Sequence, residues 1–262
     1  MAEILKYEHI IYEEREKIAL LTLNRPEKRN GLSLELLEEF SSCLKHVAQE
    51  RSAKVVIVKG AGHDFCAGHD MKEILNKELN EIRNLFQACL DLMMLIHAIP
   101  QPVIAQVHGI ATAAGCQLVA ACDLAVAEEG AQFATPGVKI GLFCFTPMVP
   151  LSRAVGRKKA LEMLLTGENI SATEARSYGL VNRVVSKKKL EEETWRLAKD
   201  IAKYSLVTLG LGKEAFYHQI EMAERQAYHY AKELISANAL MADAREGMAA
   251  FFEKRLPIWK EK

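Results

Sequence analysis

No apolar run in this chain approaches the roughly 20 residues that cross a bilayer; the longest ones are interrupted by Asp, Glu or Lys. A membrane-spanning helix is excluded, and no membrane partner is expected. Net charge is absent too: 34 basic side chains balance 34 acidic ones, so no global field draws in nucleic acid or an anionic surface. The six cysteines, at 43, 66, 89, 116, 122 and 144, form no Cys-x-x-Cys pair and sit mostly inside apolar runs, where cysteine behaves as a small hydrophobe. They read as free thiols in a reducing compartment. Residues 1–14 have neither the apolar core of a signal peptide nor the Arg-rich, acid-poor character of a transit peptide, which points to the cytoplasm. His63-Asp64 and His69-Asp70 are accompanied by no helical His spacing and no Cys pair, so no metal is expected.

Strand and helix signals alternate through the first half. Residues 17–24 (KIALLTLN) are β-rich and end in the turn Asn24-Arg25-Pro26; Ser33 opens a helical pattern to Glu50; residues 55–59 form a second apolar strand. Helical periodicity fills 79–99, and Pro100 and Pro102 break the chain before the strand 103–107. A helix over about 113–121, then strands 124–127 and 132–135, complete an α/β pattern. Beyond Gly141 strand signals nearly vanish. Ser171 with Glu174 is a capping box, Gly179 fits the stop of that short helix, and helices are expected over 187–204, about 206–237 and 241–255. No Pro/Gly/Ser-rich linker intervenes, so a core over 1–200 and a helical tail over 201–262 are expected to form one unit.

Two segments carry chemistry. In residues 64–72 (DFCAGHDMK), Gly68 permits close backbone approach and Asp70 is a good helix cap, so amides near His69 can face a ligand anion. In residues 107–117 (VHGIATAAGCQ), small residues lead from a buried strand into a helix start, which supplies unpaired amides and a partial positive charge. Each segment alone fits ordinary loop and packing roles. Together they would make an oxyanion hole.

These segments, with NRPEKRNGLS at 24–33, PQPVIAQVHGIATAAGCQLVAACDLAVA at 100–127, AQFATP at 131–136, LLTGENISATEARSYGLVNRVV at 164–185 and FFEKRLPIW at 251–259, resemble the enoyl-CoA hydratase/isomerase (crotonase) family along nearly the whole chain. Within it the chain looks most like the hydratase-domain-containing branch with an AGHD motif. The resemblance implies an α/β, crotonase-like spiral of ββα units with a C-terminal helical trimerisation region, assembling as a homo-trimer or homo-hexamer. It implies a lyase-like role in fatty acid metabolism on acyl-CoA, with coenzyme A as part of the substrate and no other cofactor required. The oxyanion would be held by the amides of His69 and Ala114. CoA contacts would come from Arg25 and Lys28, from Ala67 and His69, from Lys72, and from Phe251 and Lys254 of the tail.

The chain departs from the family where proton transfer is expected. The two positions at which hydratases carry glutamates hold Gln117 and Gly137, neither of which can act as acid or base. An AGHD segment without the second glutamate also resembles the methylmalonyl-CoA decarboxylase branch. Decarboxylation or thioester hydrolysis therefore stands beside weak hydration, and so does an acyl-CoA binding protein without turnover. Cys66 and Cys144 read as pocket walls, since no partner base adjoins them in sequence.

Overall fold

The computed structural model describes residues 7–261; part of the amino-terminal segment used to judge compartment, residues 1–6, lies outside them. In chain order the elements are β1 (Ile10–Arg15), β2 (Ile18–Leu23), α1 (Leu34–Glu50), β3 (Val55–Gly60), α2 (Leu79–Ala98), β4 (Val103–Val107), β5 (Ile110–Thr112), α3 (Ala114–Ala121), β6 (Leu124–Glu128) and β7 (Gln132–Ala134). There follow α4 (Phe145–Val155), α5 (Arg157–Thr166), β8 (Ile170–Ser171), α6 (Ala172–Ser177), β9 (Arg183–Val185), α7 (Leu190–Ala202), α8 (Leu206–Gln219), α9 (Glu224–Asn238) and α10 (Ala242–Glu253). A six-stranded sheet runs β1-β2-β3-β4-β6-β9, parallel except for the edge strand β1; a smaller sheet runs β5-β7-β8.

The inner strands are apolar on both faces because both faces are covered. Leu21, Val56, Val58, Ala105 and Ala127 face the main core, which α1 and α2 complete. Ile18, Leu20, Ile57, Ile104 and Val126 face Leu190, Trp195 and Ala198 of α7. Helix α1 starts where expected: the Leu36 amide donates to Ser33 Oγ at 3.3 Å, and Leu36, Leu37, Phe40, Leu44 and Val47 fall on its buried side. The capping box of α6 forms as read, with Glu174 N donating to Ser171 Oγ and Ser171 N to Glu174 Oε2.

Three elements differ from the sequence reading. Strand β1 carries little apolar alternation, and its hairpin to β2 turns on Glu16 and Lys17, both at positive φ (52° and 62°), where Asn and Gly are the usual signals. The helix expected over about 206–237 is two, because the chain reverses at 220–223 and α9 packs back on α8. Finally, α7 runs through residue 200, so the change from core to tail falls at the turn after Ala202.

Candidate active site

Two loops leave the C-terminal ends of β3 and β4 and lie back to back. Cys66 N donates to Ile110 O and Thr112 N to Cys66 O, at 3.1 and 3.0 Å. Contact is so close that a Cβ on Gly115 would stand 2.1 Å from the Cys66 carbonyl oxygen. On the other side of the first loop, Leu32 N donates to Gly68 O at 2.7 Å and Asp70 N donates to Leu32 O at 2.9 Å. These two bonds flank His69 in a parallel bridge, and that geometry turns the His69 N–H the opposite way. Ala114 begins α3, where the first amides have no helical acceptor. Ala113 holds φ 49°, ψ −118° while its own N–H donates to Ala134 O at 2.9 Å. A non-glycine residue in that region is strained by about 1–3 kcal/mol and persists only where its surroundings fix it.

The two amides adjoin across Gly68. A Cβ built there, at φ 106°, would lie 3.4 Å from Ala114 N and 2.9 Å from Ala113 Cβ, so glycine is required for both conformation and space. Among the described residues neither the His69 nor the Ala114 amide donates to a protein acceptor. Two adjoining N–H groups without a protein acceptor are donors of the type that can stabilise a developing oxyanion.

The His69 ring sits edge-on to Phe86 of α2, with centroids 4.9 Å apart. Burial pushes its pKa down to about 4, against a smaller opposing pull from the Leu32 backbone. Neither ring nitrogen meets a partner at hydrogen-bond geometry among the described residues. The imidazole is thus neutral at pH 7. Gln117, one turn into α3, is buried with its Oε1 unpartnered. Gly137 has no room for a side chain: a Cβ would stand 2.2 Å from Leu142 O and 2.9 Å from Cys144 Sγ, because the chain folds back with Leu142 N donating to Gly137 O. Burial raises the thiol of Cys144 and pushes that of Cys66 up to about 12, so neither is a thiolate at neutral pH. All six cysteines are free and buried.

The residues named for CoA contact fall into three groups. Ala67 and His69 are on the loop after β3, and the Ala67 carbonyl accepts the Thr112 hydroxyl. Lys28 and Lys72 are exposed beside it, with Lys28 3.4 Å from Asp70 Oδ2. Arg25, by contrast, is buried, and its guanidinium donates to Gly31 O (2.6 Å) and Asp70 Oδ2 (3.0 Å). It braces the 24–31 turn against the loop that carries His69. Phe251 and Lys254 lie at the end of the tail, where α10 packs on α8.

Sequence reading missed the clamp that ties the 24–31 turn to the two loops. Fully buried Asn30 donates to Ala61 O and Asp64 O and accepts from Arg25 N. Asp64 accepts from Ile110 N at 3.1 Å and pairs with Arg29 at 3.1 Å. The polar string 24–30 was its only signal.

A model of the enoyl-CoA hydratase/isomerase family matches residues 13–262. The chain is 47% identical over 247 residues to the mouse (Mus musculus) protein named enoyl-CoA hydratase domain-containing protein 3, mitochondrial, covering 94% of this chain and 82% of that protein. It is 35% identical to a probable enoyl-CoA hydratase, mitochondrial, of Dictyostelium discoideum, covering 95% and 90%. Among solved structures, an enoyl-CoA hydratase from Mycobacterium smegmatis superposes with TM-score 0.93 at 45% identity, over 96% of this chain and 98% of that one. Human enoyl Coenzyme A hydratase domain-containing protein 3 does so with TM-score 0.93 at 45% identity, over 96% and 100%. The mitochondrial names of the eukaryotic relatives overturn the cytoplasmic expectation. A targeting leader is separate from the folded domain, so the composition of residues 1–14 could not decide compartment.

Proposed function

The chain belongs to the enoyl-CoA hydratase/isomerase family, and from that membership we propose that it binds acyl-CoA thioesters and holds the thioester oxygen between the His69 and Ala114 amides. The observation that carries this reading is the pair of unengaged N–H groups across Gly68. One such donor is worth about 2.7–4 kcal/mol to a developing oxyanion. CoA would be met by the exposed Lys28 and Lys72, by Ala67 and, in a trimer or hexamer, by Phe251 and Lys254 supplied to a neighbouring subunit. The names of the eukaryotic relatives support a mitochondrial setting.

Efficient hydration does not follow. Adding water across an enoyl double bond needs a group that takes a proton from water and one that returns a proton to carbon. Gln117 is not titratable, Gly137 is closed off by Leu142, and His69 is a poor base with its pKa near 4. What the site offers is enolate or oxyanion stabilisation with little proton transfer. That suits reactions in which a bond to carbon breaks without a strong base, such as loss of carbon dioxide from an acyl-CoA, and it suits binding without turnover.

Purified protein titrated with acetyl-CoA should melt at a higher temperature; at 100 times the dissociation constant the gain is about 2.7 kcal/mol. An unchanged melting curve at millimolar acetyl-CoA would sink the reading. In parallel, crotonyl-CoA hydration should be weak or absent. Hydration at rates typical of efficient enzymes would overturn the account of the missing pair.

A further inference from the structure

The second feature of the molecule that is built like a site lies on the opposite face of the large sheet from the main core. On the face that α7 covers, successive strands present apolar side chains and then each ends in a polar one: Thr22 after Ile18 and Leu20, Lys59 after Val55 and Ile57, Gln106 after Ile104, and Glu128 after Val126. Register places them side by side, since Thr22 pairs with Lys59, Lys59 with Gln106 and Gln106 with Val126, two residues before Glu128. Glu128 in turn pairs with Val185, two residues before Lys187. These side chains line a cavity of about 590 Å³, inside the size range of small-molecule pockets. It opens at the carboxyl ends of parallel strands, where α/β sheets commonly hold ligands.

The polar groups are not explained by the fold. Thr22, Gln106 and Glu128 are more than nine-tenths buried. Glu128 Oε1 accepts from Gly109 N at 3.0 Å, but Glu128 Oε2 and Gln106 Oε1 have no partner among the described residues. Among the described residues, Lys59, half-buried, and Lys187, exposed at the rim, form no ion pair or side-chain hydrogen bond either. Leaving a buried acceptor unsatisfied is unfavourable, and more so when it is charged. Two unsatisfied buried acceptors, Gln106 Oε1 and Glu128 Oε2, beside two unpaired lysines therefore select what enters. The lining also holds the exposed Glu13 and Glu191, the latter paired with Arg15, and His108, whose Nε2 bonds to Gly62 O. The acceptors on the floor call for N–H donors, while a purely cationic guest would meet Lys59 and Lys187 and a purely anionic one would meet Glu128 and the rim carboxylates.

We propose that this cavity is a second small-molecule site, separate from the oxyanion hole, and that it takes a small zwitterion with its ammonium group against Glu128 and Gln106 and its carboxylate toward Lys59. No part of this depends on the acyl-CoA reading.

The test uses the full-length protein with β-alanine and 4-aminobutyrate as zwitterions of two lengths, and propylamine and propionate as single-charge controls. Binding is followed by saturation-transfer NMR and calorimetry. One zwitterion should bind about tenfold or more tightly than either control, a difference of about 1.4 kcal/mol. Glu128→Gln and Lys59→Met should each weaken it by about tenfold, with acetyl-CoA affinity unchanged. Equal binding of the controls, zwitterion binding that survives both substitutions, or no binding at millimolar concentration would overturn the proposal. Should Glu128→Gln disturb the Gly109 loop and fail to fold, Lys59→Met decides alone.

Discussion

At Gly137 even a methyl group is too much, since a Cβ would sit 2.2 Å from the Leu142 carbonyl oxygen. Gly137→Ala should therefore destabilise the protein by roughly 1–3 kcal/mol, as overpacking does, measurable by urea unfolding. The double variant Gln117→Glu, Gly137→Glu follows from the same distance: it should misfold rather than regain hydration. A folded double variant that hydrates crotonyl-CoA would show that the 137–142 turn yields. His69 supplies a pH test. Its folded pKa, about 4, lies below the ordinary 6.5, so between those values the unfolded chain binds the proton and the folded one does not. The stability from the neutral buried ring is complete above pH 6.5 and is lost as pH falls toward 4. His69→Phe should flatten the loss of stability from pH 6.5 to 4 relative to the parent. Parallel curves for the two proteins would count against a buried, neutral ring.

Helix α8 is joined to the core through a buried polar cluster rather than an apolar stripe. Lys213 of α8 donates to Ile96 O (2.6 Å) and Gln101 O (2.8 Å) and pairs with Asp123 Oδ2 (2.6 Å). Asp123 also accepts from Val103 N and from the Tyr217 hydroxyl, and Tyr217 stacks on His97 with centroids 3.8 Å apart. Each carbonyl and carboxylate in this joint has a donor, so the tail is held in one orientation. Burial lowers the Lys213 pKa while Asp123 opposes the shift. Removing the anion leaves that ammonium buried without a counter-charge. Asp123→Asn should thus cost about 3–5 kcal/mol, read from denaturant unfolding, with the faster hydrogen exchange concentrated in α8. A cost under about 1 kcal/mol would mean that the pair is screened like a surface one.

At the scale of the whole molecule the tail presents what a lone chain does not bury. Phe251 is 79%, Phe252 81% and Leu256 87% exposed, with the two phenyl rings 5.7 Å apart, and exposed apolar surface is what subunit interfaces cover. Sedimentation should find a trimer or hexamer, and Phe251→Ser with Phe252→Ser should release folded monomers. A stable monomer of the parent protein would remove that expectation. Substitution is a cleaner probe than deletion of residues 240–262, because the last residues are tied into the fold. Asp243 accepts from Ser205 Oγ, Lys260 N and Glu261 N; Lys54 pairs with Glu261; and Trp259 Nε1 donates to Lys203 O.

What the sequence alone determined is what short-range chemistry writes. The two-sided apolar strands 18–23 and 55–58, the Ser33 cap, the Ser171–Glu174 box and the ordered family segments place the α/β layers and the two loops that carry His69 and Ala114, and the absence of carboxylates at 117 and 137 is visible without coordinates. Tertiary structure decided the rest. The resemblance implies a CoA contact at Arg25, and the fold places its guanidinium buried against Gly31 and Asp70, the second of these partners coming from a loop 45 residues further along the chain. Gly137 reads as a missing side chain, but it is a filled space, since only the fold brings Leu142 over it. The polar ends of β2, β3, β4 and β6 look like four separate interruptions in the sequence; strand register alone lines them up along one edge of the sheet.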